Sequence, residues 1–314
     1  MRRILAFLSL ALTVPAFAPA VFAADKPVEV RGSAGGGYDN NVRLDSFRKG
    51  DRFFQESVSV RSKHTLAGPV RGRLEYDLFN VNYAEVTDLN VLWQDVGAGV
   101  DVLLSPSTAL QFDYDFEYVY FPRNEPVSSF ANKGRAGIVH RVDRRTRLRA
   151  GLAVLERQFT DNKLRQADSV LSASDERTDL RFGPDAELAL QLTDRVLLRT
   201  GYLFYDNDSD DQFHDFYDFN SHTGYASGTF KLTSKAFVYL KGSFENLNYD
   251  SRPLVGDPAR FEEAWIYTGT ATFYYALTQR FSLAATYSYR QKTADEPSRE
   301  YSGSVSTLGL HCVF

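Results

Sequence analysis

Apolar and polar residues alternate along most of this chain with a period of two. From Leu110 to Tyr120 the even positions are apolar or aromatic, and nearly all the odd positions are acidic or polar. The segments 181–192 and 281–290 repeat the alternation. Successive side chains of a β-strand point to opposite faces, whereas a helix would spread these residues around its whole circumference. The pattern therefore predicts strands that have one apolar and one polar face.

Turn signals separate these segments in two alternating kinds. Short signals lie at residues 66–69, 105–107, 143–145, 193–194, 233–234 and 278–279. Longer polar segments lie at residues 39–51, 83–88, 122–133, 161–176, 206–217, 250–261 and 293–300. Tight turns at one end and longer loops at the other are typical of outer-membrane barrels.

We predict about 14 strands from this spacing. They are expected near 28–38, 52–65, 70–82, 89–104, 108–121, 134–142, 146–160, 177–192, 195–205, 218–232, 235–249, 262–277, 280–292 and 301–314. So many apolar, aromatic faces exceed what one soluble core can bury. In lipid, the backbone groups must all pair within the protein, so the sheet has to close. The predicted fold is all-β, a transmembrane antiparallel up-and-down barrel. The alternative is a secreted solenoid or sandwich.

The first residues predict export. A basic start at Arg2 and Arg3 precedes an apolar stretch that ends in small residues, which is the pattern of a cleaved signal peptide. We expect a signal peptide at 1–23 and the barrel at 24–314; the alternative is an uncleaved membrane anchor.

Composition excludes several other classes of protein. Charged residues make up 24% of the 314-residue chain, and no long apolar run follows residue 24, which excludes a helical membrane bundle. The single cysteine, Cys312, excludes a disulfide scaffold. A formal net charge of -4 without a basic stripe gives no reason to expect nucleic acid as a partner.

The last strand ends on an aromatic residue. One face of it is formed by Leu308, Leu310, Cys312 and Phe314. This resembles the carboxy-terminal signal of Gram-negative outer-membrane β-barrel proteins. The resemblance implies a place in the cell outer membrane, contact with its lipid and lipopolysaccharide, and recognition of Leu308, Leu310 and Phe314 by the barrel assembly machinery.

A second resemblance lies near the start of the mature chain. Residues 37–42 read Gly-Tyr-Asp-Asn-Asn-Val, which is similar to the opening of some barrels linked to surface polysaccharide or lipoprotein export. Export-system components are therefore candidate partners. The simpler explanation is that a tight loop after the strand needs Gly, Asp and Asn to adopt its backbone conformation.

Charged residues on the polar faces of neighbouring strands are the candidate functional residues. Parity places five acids inside the barrel, Asp95, Asp101, Asp113, Asp115 and Glu117, followed by five arginines, Arg135, Arg141, Arg147, Arg149 and Arg157. Separated charges along a wet pore would orient polar solutes. Alternatively, the charges pair in ladders and fill the interior.

An acidic segment, 206–218, is the remaining candidate for chemistry. Clustered carboxylates suit divalent cations, so Asp206, Asp208, Asp210 and Asp211 form a candidate loop cation site, although the spacing is not that of an EF-hand. Together with His214 the segment also allows an enzyme that activates water. A solvated polar loop is the simpler interpretation. The histidines have no metal-ligand spacing, and no cofactor or resident metal is expected.

The sequence thus favours a non-enzymatic, porin-like channel for small hydrophilic solutes. The alternative is a structural or assembly barrel of a surface polysaccharide or lipoprotein export system, and a barrel enzyme is the third.

Overall fold

The computed structural model describes residues 28–45, 48–124, 128–159, 165–166, 169–170, 177–210 and 216–314. The predicted signal peptide, residues 1–23, lies outside them. The strands are β1 (Val28–Asp39), β2 (Asp51–Ala67), β3 (Val70–Tyr83), β4 (Val91–Leu103), β5 (Thr108–Tyr120), β6 (Ser129–Arg141), β7 (Thr146–Phe159), β8 (Arg165–Gln166), β9 (Ser169–Val170), β10 (Thr178–Thr193), β11 (Val196–Asp210), β12 (Phe219–Lys231), β13 (Ala236–Leu254), β14 (Asp257–Ala276), β15 (Phe281–Ala294) and β16 (Tyr301–Val313).

Fourteen of these described strands form one closed antiparallel barrel in which each strand pairs with its neighbours in the chain. The short strands β8 and β9 pair only with each other, within the connection from β7 to β10. The predicted fold class and the predicted number of barrel strands are confirmed.

The barrel closes where the first strand meets the last. Partners run from Arg31 opposite Val313 to Asp39 opposite Val305. The Phe314 amide donates to the Val30 carbonyl at 2.8 Å. Closure removes the row of unpaired backbone groups that an open sheet edge would present to lipid.

The outer wall is apolar. Leu74, Leu152 and Leu308 point outward and are 57%, 50% and 61% exposed. Exposure of large apolar side chains around a whole barrel is unfavourable in water and favourable in hydrocarbon. This is the fold of an integral outer-membrane β-barrel. No helix among the described residues is long and apolar enough to cross a membrane.

The two ends of the barrel differ, and we call them the turn end and the loop end. At the turn end the connections are two to four residues long, as between Arg141 and Thr146. There the amides of Arg145 and Thr146 donate to the Asp143 carboxylate, which lowers its pKa because the hydrogen bonds favour the charged form.

Several strands extend further toward the loop end than the sequence predicted, into segments that were expected to be polar loops. β6 begins at Ser129, inside the predicted loop 122–133, and β11 runs to Asp210, inside the predicted loop 206–217. Most of the predicted loop 250–261 is strand: β13 runs to Leu254 and β14 begins at Asp257, so only residues 255–256 connect them, with Gly256 at a φ of 87°. Strand pairing continues beyond the part of the barrel whose outer face is apolar, because strands that extend into water can have polar side chains on both faces.

Candidate solute pathway inside the barrel

All ten predicted charged residues lie on the inward-facing side of their strands. Their outward neighbours are apolar and exposed, as Phe112 and Phe116 are on β5. The acids Asp95, Asp101, Asp113, Asp115 and Glu117 lie on β4 and β5, and Arg135, Arg141, Arg147, Arg149 and Arg157 lie on β6 and β7.

Glu117 joins the acidic and basic sectors. Its carboxylate accepts hydrogen bonds from Lys133 Nζ at 2.6 Å, from Arg157 Nη2 at 2.6 Å and from Trp93 Nε1 at 3.0 Å. Lys133 also lies 3.6 Å from Asp95. A carboxylate with this many charge-assisted donors is held in one position.

A second group of charges surrounds Arg73 on β3. Its guanidinium pairs with Asp101 at 2.9 Å and with Asp113. The neighbouring acid, Asp115, forms no ion pair with the residues that the structure describes. Four carboxylates of the acidic sector thus have ion pairs, and Asp115 is the one that has none among the described residues.

Two further acids, which the sequence analysis did not select, lie on β10. Asp185 pairs with Arg149 and lies 3.7 Å from Arg135, while Glu187 lies 3.3 Å from Arg147. Both belong to the polar face of a correctly predicted strand. The missing information was the register with β7, which places Glu187 directly opposite Arg149.

These ion pairs run along the wall rather than across the barrel. Each pair named above joins strands that are adjacent in the barrel or next but one, such as β5 with β7. The pairs therefore line the wall, and a cavity of about 430 Å³ lies among them. It is lined by charged and polar side chains, among them Arg73, Asp113, Asp115, Arg135, Arg149, Glu187 and Tyr205.

Glycines on β4 make room for this charged lining. A Cβ on Gly97 would lie 2.5 Å from Asp115 Oδ1, and one on Gly99 would collide with the Arg73 guanidinium. Because these glycines lack side chains, Asp115 and Arg73 lie flat against the wall instead of extending toward the barrel axis.

Loops fold into the loop end and narrow it on one side. Val42, Val86, Leu89 and Phe121 come from three connections and pack on inward side chains of β2 to β5, such as Phe53. All of these residues are at most 8% exposed. This apolar cluster occupies part of the opening, so a pathway has to pass beside it.

The Gly-Tyr-Asp-Asn-Asn-Val segment builds this loop. The Asn41 amide donates to Asp39 Oδ1 at 2.8 Å, and Asn41 Nδ2 donates to the carbonyls of Asp45 and Ser302, each at 2.8 Å. Asp39 and Asn41 are almost completely buried. The motif therefore has a local structural role here: its Asp and Asn side chains hold the backbone of the loop that follows β1.

The opposite side of the loop end contains a buried ionic cluster. Glu262, whose side chain is fully buried, lies 3.4 Å from Arg252 and 3.3 Å from Lys292, and it also pairs with Arg299. Arg252 stacks over the Tyr249 ring at 4.0 Å. Three cations around one carboxylate tie the extended β13–β14 hairpin to the connection between β15 and β16.

The candidate cation site is placed differently from the prediction. Asp206, Asp208 and Asp210 belong to β11 and point outward in exposed positions, rather than lying in a loop. Asp211 and His214 lie outside the described residues. In the described part of the chain, no three His, Cys, Asp or Glu side chains come together as metal ligands.

Two solved structures that align with this chain at a TM-score above 0.5 have the same fold. OmpT, an outer-membrane protein of Vibrio cholerae, aligns with a TM-score of 0.51 and 10% identity, covering 93% of this chain and 100% of that one. Its loop L8 deletion mutant gives 0.51 and 10%, with 91% and 99% covered. A Pseudomonas aeruginosa FadL homologue gives 0.48 and 10%, with 93% and 91% covered. No protein-family model and no curated protein matches the sequence.

Proposed function

We propose that the protein is a non-enzymatic outer-membrane channel for small hydrophilic solutes. The observation that carries the proposal is the course of the interior ion pairs. They follow the wall between strands that are adjacent or next but one, and a polar cavity lies among them. A polar lumen in a barrel of this strand number suits water and small polar solutes.

The separated charges give such a channel its selectivity. Carboxylates of β4 and β5 enrich cations along one side, and guanidinium groups of β6 and β7 enrich anions along the other. Many of them are already paired, as Glu117 is with Lys133 and Arg157, so the field along the pathway comes from the residues with incomplete pairing. Asp115 is the acidic example.

Neutralising the acids tests the proposal. Replacement by Asp113→Asn, Asp115→Asn and Glu117→Gln preserves side-chain size and frees the cations that were paired with them. In a planar bilayer with a salt gradient, we expect the reversal potential to shift toward anion selectivity. Arg147→Gln with Arg149→Gln should shift it toward cations.

The matched control changes three outward acids, Asp206, Asp208 and Asp210, to Asn. It removes the same charge without touching the lumen, so the reversal potential should stay nearly unchanged, because salt screens charges outside the lumen. Folding of every variant is verified by heat-modifiable migration. If the unmodified, folded barrel shows no conductance, the channel proposal fails and the structural, export-associated barrel takes its place.

A further inference from the structure

Four basic side chains line the turn end of the lumen from several sides. We call them the collar: Lys63 on β2, Arg71 on β3, Arg141 on β6 and Lys231 on β12. All four occupy inward-facing positions of their strands. Five strands separate β12 from β2 around the barrel in one direction, and three strands separate it from β6 in the other. The collar residues therefore lie on three sides of the opening.

Three of the nearby carboxylates are already engaged with other groups. Asp101, the cross-strand partner of Arg71, pairs with Arg73, and Glu29 pairs with Arg31 at 2.5 Å. Asp143 binds backbone amides of its own turn. Throughout the described residues, no collar side chain has an ion pair.

The register places a cation, not a carboxylate, directly opposite two of the collar residues. Lys63 lies directly opposite Arg73 on the next strand, and Arg141 lies directly opposite Arg147. Like charges in directly opposed positions destabilise a sheet. Arg147 and Arg141 are both exposed. Arg73 is already paired with Asp101 and Asp113, and Arg147 with Glu187. Lys63 and Arg141 are therefore the two cations here that have no ion pair among the described residues, and a negative group from solution would supply one.

Exposed cations outnumber exposed acids in the tight connections of this end. The cations are Arg144, Arg145, Arg195, Lys235 and Arg280, and the acids are Asp143 and Asp194. A concave opening with an excess of charges of one sign raises the local concentration of ions of the opposite sign.

From these observations we infer that the collar binds small anions that carry carboxylate or phosphate groups and admits them to the lumen at the turn end. The inference rests on the proposed channel function and specifies its substrate class. Lysine and arginine offer several N–H donors to the oxygens of such anions, and charge-assisted bonds of this kind are the stronger ones.

The test compares two triple variants of the full barrel. One carries Lys63→Gln, Arg141→Gln and Lys231→Gln in the collar. Its control carries Lys49→Gln, Arg123→Gln and Arg260→Gln, three exposed cations of the loop end. In potassium chloride gradients, the collar variant should lower the chloride-to-potassium permeability ratio by about twofold or more, and the control should leave it nearly unchanged.

Inorganic phosphate is the direct probe. Added to chloride solutions, it should reduce current through the unmodified channel, and half reduction should need about threefold more phosphate in the collar variant. A conducting channel that prefers cations, or one that responds equally in both triple variants, would overturn the anion collar and leave the channel function intact. Absence of conductance in the unmodified protein would instead overturn the channel function itself.

Discussion

At the scale of single residues, the direction of each side chain decides whether it meets lipid or water. Leu152 lies near the middle of β7 and points outward, whereas Leu104 points outward in the tight connection after β4. Leu152 is 50% exposed and Leu104 is 58% exposed. They therefore provide the same chemical change at two depths in the membrane.

Arginine at these two positions should destabilise the barrel unequally. We expect Leu152→Arg to lower the free energy of unfolding by about 2–4 kcal/mol and Leu104→Arg by about 0–1 kcal/mol, since a charge costs most at the bilayer midplane. Urea unfolding in lipid vesicles measures both. Equal losses would mean that the apolar band is not centred on Leu152.

The sequence shows which face of its strand a residue occupies, but it does not show which residue that side chain pairs with. The alternation around Asp113 and Asp115 is enough to place both carboxylates on the polar face. Their different states depend on Arg73, which belongs to β3 and reaches past β4 to Asp113. No local pattern contains such a contact between strands that are next but one.

At the scale of elements, the final strand closes the barrel and carries the predicted assembly signal. β16 pairs with β15 on one side and with β1 on the other. Leu308, Leu310 and Phe314 point outward and are exposed. Thr307 and Val313 lie on the opposite parity of the same strand, which offers a matched comparison within one element.

Carboxylates on the outward face of β16 should prevent insertion. Leu310→Asp with Phe314→Asp removes apolar contact with lipid and the terminal aromatic residue, so we expect little heat-modifiable barrel in outer-membrane fractions. Thr307→Asp with Val313→Asp adds the same charge toward the lumen and should leave most of the insertion intact. Normal insertion of the outward variant would contradict the assembly signal.

The ends of elements were harder to predict than their existence. Residues 129–133 read as part of a polar loop, yet they pair with β5, where Ser129 lies opposite Val119 and Ala131 opposite Glu117. Ser129 and Ala131 are completely buried. Strand length here follows the neighbouring strand rather than local hydrophobicity, so the sequence pattern stops too early.

At the scale of the whole molecule, the two ends of the barrel are built by different means. The turn end has only tight connections, whereas loops at the other end fold inward over β2 to β5. Asn41 reaches the Ser302 carbonyl, a contact between residues 261 positions apart. Such long-range contacts define the opening, and periodicity along the chain could not predict them.

The orientation of the barrel in the membrane follows from this asymmetry. Outer-membrane barrels place their short turns in the periplasm and their longer connections outside the cell. Val255, at the tip of the β13–β14 hairpin, is 75% exposed and belongs to the loop end. Thr233 and Ser234 are exposed in the tight connection between β12 and β13, at the turn end.

An epitope inserted after Val255 should therefore bind antibody on intact cells, whereas the same epitope between Thr233 and Ser234 should bind only after the outer membrane is permeabilised. Both insertions fall in solvent-exposed connections, so neither should break the strand ladder. The reverse pattern of accessibility would place the turn end outside the cell. The basic collar would then face the medium, and the anions that it attracts would come from there rather than from the periplasm.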